Sequence, residues 1–137
     1  MAIRLYRAYS PGTRSRSSLY LDDLSKNKPE RSLTFGKKRC SGRNNRGVIT
    51  LKGRGGSHKR KYRMIDFRRN EASNLARVVG IEYDPNRNAR IARLHYSDGK
   101  KKYIIAPRSL KVGTTVCSGS DSPIEIGNAM PLEFIPL

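Results

Sequence analysis

Hydrophobic and polar positions divide this chain near Gly47. Before it no period is sustained; after it short β-branched runs alternate with turn residues. Residues 48–51, Val-Ile-Thr-Leu, predict a short strand, and residues 52–61 a Gly-rich basic loop. Residues 62–67 alternate, with Tyr62, Met64 and Asp66 on one face and Arg63, Ile65 and Phe67 on the other. Neither face is purely apolar, so this strand is expected to be clasped partly by something other than core. Residues 70–74 read as a turn. Residues 75–83 predict a strand with Val78, Gly80 and Glu82 on one side and Val79, Ile81 and Tyr83 on the other. Asp84-Pro85-Asn86 is a turn, because Pro85 keeps Asp84 out of helical geometry. Residues 89–96 predict a strand with Ala92, Leu94 and Tyr96 inward, against Ile91, Arg93 and His95. Ser97-Asp98-Gly99 is a hairpin signal, and residues 101–106 return with Tyr103 and Ile105 opposite Ile104 and Ala106. Shorter strand pieces are expected at 114–118 and 124–126. Pro131 and Pro136 bar residues 130–137 from being a central strand.

Short strands with turn signals at such regular spacing, and no competing long helix, predict an all-β chain built on a small barrel. The OB-fold is the leading barrel, because it turns a sheet face and its loops toward nucleic acid. Residues 1–41 are rich in Ser, Arg and Pro, broken at Pro11-Gly12 and Pro29, with one weak helical patch at 19–24. They predict an extended basic arm without a core. Tyr6, Tyr9 and Tyr20 among the arginines favour an arm that orders on a partner over a solvated tail. The expected organisation is an arm over 1–41, a basic Gly-rich RNA-binding segment over 42–70, an OB-like barrel over 71–130 and a tail over 131–137.

Composition sharpens this. At 137 residues the chain is one domain, or one domain with a tail. Its hydrophobic fraction of 36% lies below the roughly 45–50% of globular domains, so the core is small. A net charge of +18 points to a polyanionic partner. No apolar run approaches the roughly 20 residues of a spanning helix, and no membrane partner is expected. The N-terminus has no apolar core of a secretory signal and makes no convincing transit peptide, which predicts action in the compartment of synthesis. Charge is polarised: residues 1–41 carry +7, residues 42–70 carry +9 and residues 71–137 only +2. Cys40 and Cys117 stand far apart with no C-x-x-C spacing, so they read as free thiols rather than zinc ligands.

Residues 42–70, GRNNRGVITLKGRGGSHKRKYRMIDFRRN, therefore hold the candidate chemistry. Gly42 and Gly47 have the spacing of a P-loop, but Val48 and Ile49 stand where Lys and Ser/Thr belong. Gly53 and Gly55 are followed by His58 where a dinucleotide fingerprint needs its third Gly. What remains is backbone able to approach phosphates, flanked by Arg forks and Lys point charges. The candidate RNA-binding residues are Arg43, Asn44, Asn45, Arg46, Lys52, Arg54, His58, Lys59, Arg60, Lys61, Arg63, Arg68, Arg69 and Arg87. The plain alternative is a solvated basic loop. Asn44 and Asn45 could read a base edge, a 2′-hydroxyl or a phosphate, or simply form a turn. Tyr62, Tyr83, Tyr96 and Tyr103 could stack on bases, though strand spacing favours core packing for most of them. His58 reads as a contact donor and His95 as an exposed strand residue. Neither has a partner at triad or metal-ligand spacing, so no catalytic residue, metal or cofactor is expected and the chain is not expected to be an enzyme.

The stretches GRNNRGVIT at 42–50, GGSHKR at 55–60, IDFRRN at 65–70 and IEYDPNR at 81–87 occur in the order and spacing of the universal large-subunit ribosomal protein L-two family. YIIAP at 103–107 and GNAMPL at 127–132 also resemble it, and the opening MAIRLY looks most like its cyanobacterial and plastid branch. The resemblance implies a structural constituent of the large ribosomal subunit that binds ribosomal RNA, supports assembly and neighbours other ribosomal proteins. It implies residence on the ribosome of the plastid stroma, with the bacterial cytoplasm or mitochondrial matrix as alternatives. In the family a second barrel and a basic tail follow the OB-like barrel. This sequence ends about where that barrel begins, so a further segment or a separate chain is expected to supply the second half. Ser57 replaces the third glycine of the family's loop, which predicts local strain or a different path there. The rival reading is a free-standing OB-type binder of single strands.

Overall fold

The computed structural model of the protein describes residues 3–19, 24–56, 58–70 and 74–136. The helical patch at 19–24, the turn at 70–74, Tyr20 and Ser57 lie wholly or mostly outside them. The described chain is almost entirely β and coil, with single 3-10 turns at Arg31–Leu33 and Leu132–Phe134. Eight strands occur: β1 (Ile3–Leu5), β2 (Ser17–Leu19), β3 (Thr34–Gly36), β4 (Lys61–Arg63), β5 (Ala76–Glu82), β6 (Ile91–Tyr96), β7 (Lys101–Ile105) and β8 (Thr115–Val116).

The centre is an antiparallel sheet in the order β7-β6-β5-β8, curled into a half-barrel. The β3-β4 hairpin extends it. Beyond Arg63 the chain leaves β3, and Ile65 bridges Tyr103 in parallel while the Asp66 amide donates to the Tyr103 carbonyl at 2.8 Å. The result is an open, OB-like barrel. The strand expected over 62–67 is thus two short pieces with different partners, which is why neither of its faces reads as apolar.

Ala76, Val78, Ala92, Leu94, Tyr96, Ile104, Leu110 and Val116 form one buried cluster, whose strand residues share one face of the sheet. The alternation expected in β5 breaks within the strand. Val78 pairs with Leu94, but Gly80 pairs with Arg93, a β-bulge at Val79. Opposed residues point to the same side, so the bulge moves Gly80 and Glu82 away from Val78 and onto the face of Ile91, Arg93 and Tyr103. That face is buried too. Tyr103 is 0% exposed; its hydroxyl donates to Glu82 Oε2 at 2.8 Å and accepts from the Glu30 amide at 2.8 Å. Arg93 stands 3.3 Å from Glu82 Oε1. Burial pushes the Tyr103 phenol up to about 12, and the bond to Glu82 pushes it the same way, against the Glu30 amide.

His95 is half-buried rather than exposed, because residues 24–36 cover this face of the sheet; burial and the charges of Arg93 and Lys101 lower its pKa. Ser25 donates its amide to the Ile81 carbonyl, Met64 donates to the Leu33 carbonyl, and Lys101 pairs with Glu30 at 2.9 Å. Nearer the N-terminus, β1 and β2 form a hairpin, with Arg4 and Arg16 at 5.2 and 4.6 Å from the Tyr6 ring.

Residues 48–51 do not form a strand. Only Ile49 bridges Arg43, and Val48, Ile49 and Leu51 are exposed. The β-branched run has no neighbouring strand to pair with. Residues 124–126 likewise form turns and not a strand.

Candidate nucleic-acid interface

The basic loop is built on its own backbone. Gly42 sits at φ 72°, and a Cβ there would collide with the Leu51 carbonyl oxygen. The Gly42 carbonyl accepts from the amides of Thr50 and Leu51, which closes the loop. Asn44 Oδ1 accepts from the amides of Arg46 and Val48, at 3.0 and 3.1 Å. Asn44 therefore forms the turn, and its neighbours Arg43, Asn45 and Arg46 point cationic and amide groups to solvent. Lys52, Arg54, His58, Lys59, Arg60 and Lys61 are exposed as well, and none of these eight bases other than His58, whose ring contacts the Lys59 carbonyl, and Arg60, which donates to the Pro85 carbonyl at 2.9 Å, has an intramolecular side-chain partner among the described residues. Uncompensated Arg and Lys on one loop form an electropositive surface suited to phosphates.

Three of the expected contact residues face inward. Arg63 is 8% exposed and donates to the Lys61 carbonyl at 2.8 Å. Arg69, at φ 51°, donates from Nε to Ser118 Oγ, from Nη1 to the Gly127 carbonyl and from Nη2 to the Cys117 carbonyl, at 3.0, 3.1 and 3.3 Å. It ties the loop after β8 to the barrel. Arg87 binds the buried Asp84 at 3.2 Å and stands over the rings of Tyr62 and Phe67 at 5.6 and 6.0 Å. Arg68 is exposed; its amide and that of Arg69 cap Asp66 Oδ1. Burial pushes the Asp66 carboxyl up, but Lys102 at 2.9 Å and these two amides outweigh it and hold its pKa below the usual carboxylate value.

Of the four tyrosines, Tyr96 and Tyr103 are core, Tyr62 is half-buried and Tyr83 is exposed. Tyr62 packs against Phe35, with ring centroids 5.1 Å apart. Beside them is a recess of about 210 Å³ lined by Lys37, Arg39, Arg60, Tyr62, Asn86 and Arg87. A second cleft shares Lys37 and Arg39 and adds Lys38 and Lys59. Lys37, Lys38 and Arg39 are absent from the residues singled out by sequence. The signal was there, a run of three bases, but only the pairing of β3 with β4 brings it beside Lys59 and Arg60. Among the described residues no group of His, Cys, Asp and Glu could hold a metal ion, and both cysteines are free.

Residues 30–118 match the family model "Ribosomal Proteins L2, RNA binding N-terminal domain". The match opens at Glu30, whose amide binds Tyr103, and closes at Ser118, which binds Arg69. It contains the whole basic loop, both clefts and the half-barrel. That family is structural and non-enzymatic, and its members reside on the ribosome. The curled half-barrel, its cationic loop and the extent of the match converge: the chain belongs to the ribosomal protein L-two family and is a ribosomal RNA-binding protein.

Proposed function

We propose that the protein is a structural constituent of the large ribosomal subunit that supports subunit assembly, in a plastid ribosome. The observation that carries the RNA contact is the set of exposed cations without acidic partners, Arg43, Arg46, Lys52, Arg54, Lys59 and Lys61, on a loop that its own backbone closes. Lys37, Lys38, Arg39, Arg60 and Arg68 extend that surface, and His58 and Asn45 add neutral contacts. Asn44, Arg63 and Arg69 position it. Binding proceeds by counterion release and shape recognition. The resemblance of MAIRLY to the cyanobacterial and plastid branch of the family supports the compartment.

Replacing Lys59, Arg60 and Lys61 together by Ala is expected to weaken binding to large-subunit RNA. The slope of log K against log salt should flatten by about 0.7–0.9 per charge removed. An unchanged slope rejects the loop. Co-sedimentation of the protein with plastid large subunits at moderate salt is the expected result for its place in the cell; migration apart from them rejects it.

A further inference from the structure

The recess beside Tyr62 is chemically unlike the rest of the basic surface. A phosphate groove needs only cations. Here Lys37, Arg39, Arg60 and Arg87 surround an aromatic ring and one neutral amide, with no acid in the lining. Its volume of about 210 Å³ is below the roughly 300 Å³ at which sites for drug-sized ligands begin. A recess of that size has room for a small planar group such as a single base.

The walls are held in place before any ligand arrives. The Arg87 guanidinium is fixed by Asp84, which is 0% exposed and also caps the Asn86 amide at 2.9 Å. Arg60 is fixed by the Pro85 carbonyl at 2.9 Å. The Asn86 amide nitrogen donates to the Lys61 carbonyl and to Asp84 Oδ1, at 2.7 and 3.0 Å, which leaves Oδ1 as an acceptor without a partner among the described residues. Tyr62 is backed by Phe35, and Arg87 lies over the Tyr62 and Phe67 rings.

We propose that this recess takes one unstacked nucleotide of RNA, its base stacked on the platform of Tyr62 and Arg87, an N–H of its edge donating to Asn86 Oδ1, and its flanking phosphates held by Lys37, Arg39 and Arg60. The proposal rests on the RNA-binding reading above and deepens it: at this point the partner is a bulged, looped or terminal nucleotide, since a base inside an A-form helix offers no free face.

The test compares a short single-stranded oligoadenylate with an abasic oligomer of the same phosphate count and with a blunt RNA duplex. Stacking one base contributes about 5- to 150-fold in affinity, so the wild-type chain is expected to prefer the oligoadenylate over the abasic strand by that order. Tyr62→Leu and Arg87→Lys should each bring this ratio toward one, the second while keeping the charge; Tyr62→Phe should retain it. Thermal melts verify folding, and where Tyr62→Leu does not fold, Phe35→Leu and Arg87→Lys carry the comparison. Equal affinity of the wild-type chain for both strands, or a ratio unmoved by these variants, overturns the nucleotide site while duplex binding leaves the RNA-binding reading intact. Failure to bind any of the three RNAs overturns both.

Discussion

Arg69 shows how far a residue type can mislead. It lies in a run of bases, Arg68-Arg69, where sequence assigns both to RNA. Arg68 is exposed, whereas Arg69 gives three guanidinium bonds to Ser118, Gly127 and Cys117. Sequence carries charge but not direction, and the left-handed backbone at Arg69 is what turns it inward. Arg69→Ala is expected to destabilise the fold by about 1–3 kcal/mol, because three part-buried acceptors lose a charged donor. Urea unfolding measures this, and a loss below half a kcal/mol would sink the clasp. Tyr103 gives a prediction of opposite pH sign to the usual acid effect. Its folded pKa, near 12, lies above the unfolded value of 10.0. Its contribution is therefore complete below pH 10 and declines as pH rises toward 12, by up to about 2–3 kcal/mol. Tyr103→Phe should flatten that decline; parallel stability curves for the two proteins through pH 9–12 would refute it.

At the scale of elements, β5, β6 and β7 were legible because each alternates and is bounded by a turn. Asp84-Pro85-Asn86 and Ser97-Asp98-Gly99 both hold, the first as a turn in which Asp84 accepts from the Asn86 amide. The β-bulge was not legible. It is a two-for-one mismatch between strands, and nothing in one strand's composition records it. Nor was β3, three residues long and paired only with a segment twenty-five positions beyond its end. At the bulge, a Cβ on Gly80 would meet Ser25 Oγ at 2.5 Å and Ser25 Cβ at 3.3 Å. Gly80→Ala should therefore destabilise by about 1–3 kcal/mol, as overpacking does. Ser25→Gly should recover part of it, and a double-mutant cycle should show coupling of at least about 0.5 kcal/mol. Strict additivity would mean that Ser25 and Gly80 do not touch in solution.

Over the whole molecule, exposed surface amounts to 10928 Å², against about 7200 Å² for a compact monomer of 15.5 kDa. The excess comes from hairpins and loops that lie over little core, and the small hydrophobic fraction foreshadows it. Charge polarity was equally legible, while the convergence of Lys37, Arg39, Arg60 and Arg87 on one recess was not, because it depends on three separate returns of the chain. Self-repulsion at +18 gives salt two opposite effects. Raising NaCl from about 0.05 to 0.5 M shortens the Debye length and should raise the melting temperature of the free protein while lowering its RNA affinity. Calorimetry beside a binding titration measures both; a melting temperature that falls with salt contradicts the first.

The bond from the Glu30 amide to the Tyr103 hydroxyl spans 73 residues. A ribosome making about 5–20 residues each second needs roughly 4–15 s to synthesise that interval. The covering segment at 24–36 can pair with β4 and with Ile81 of β5 as they emerge, but its bonds to Tyr103 and Lys101 wait for β7, and such distant pairings are also slow to form. The basic loop precedes β7 in the chain. Its cations are thus available to nucleic acid before the barrel can close, which makes RNA capture and folding overlapping events in the life of a newly made chain.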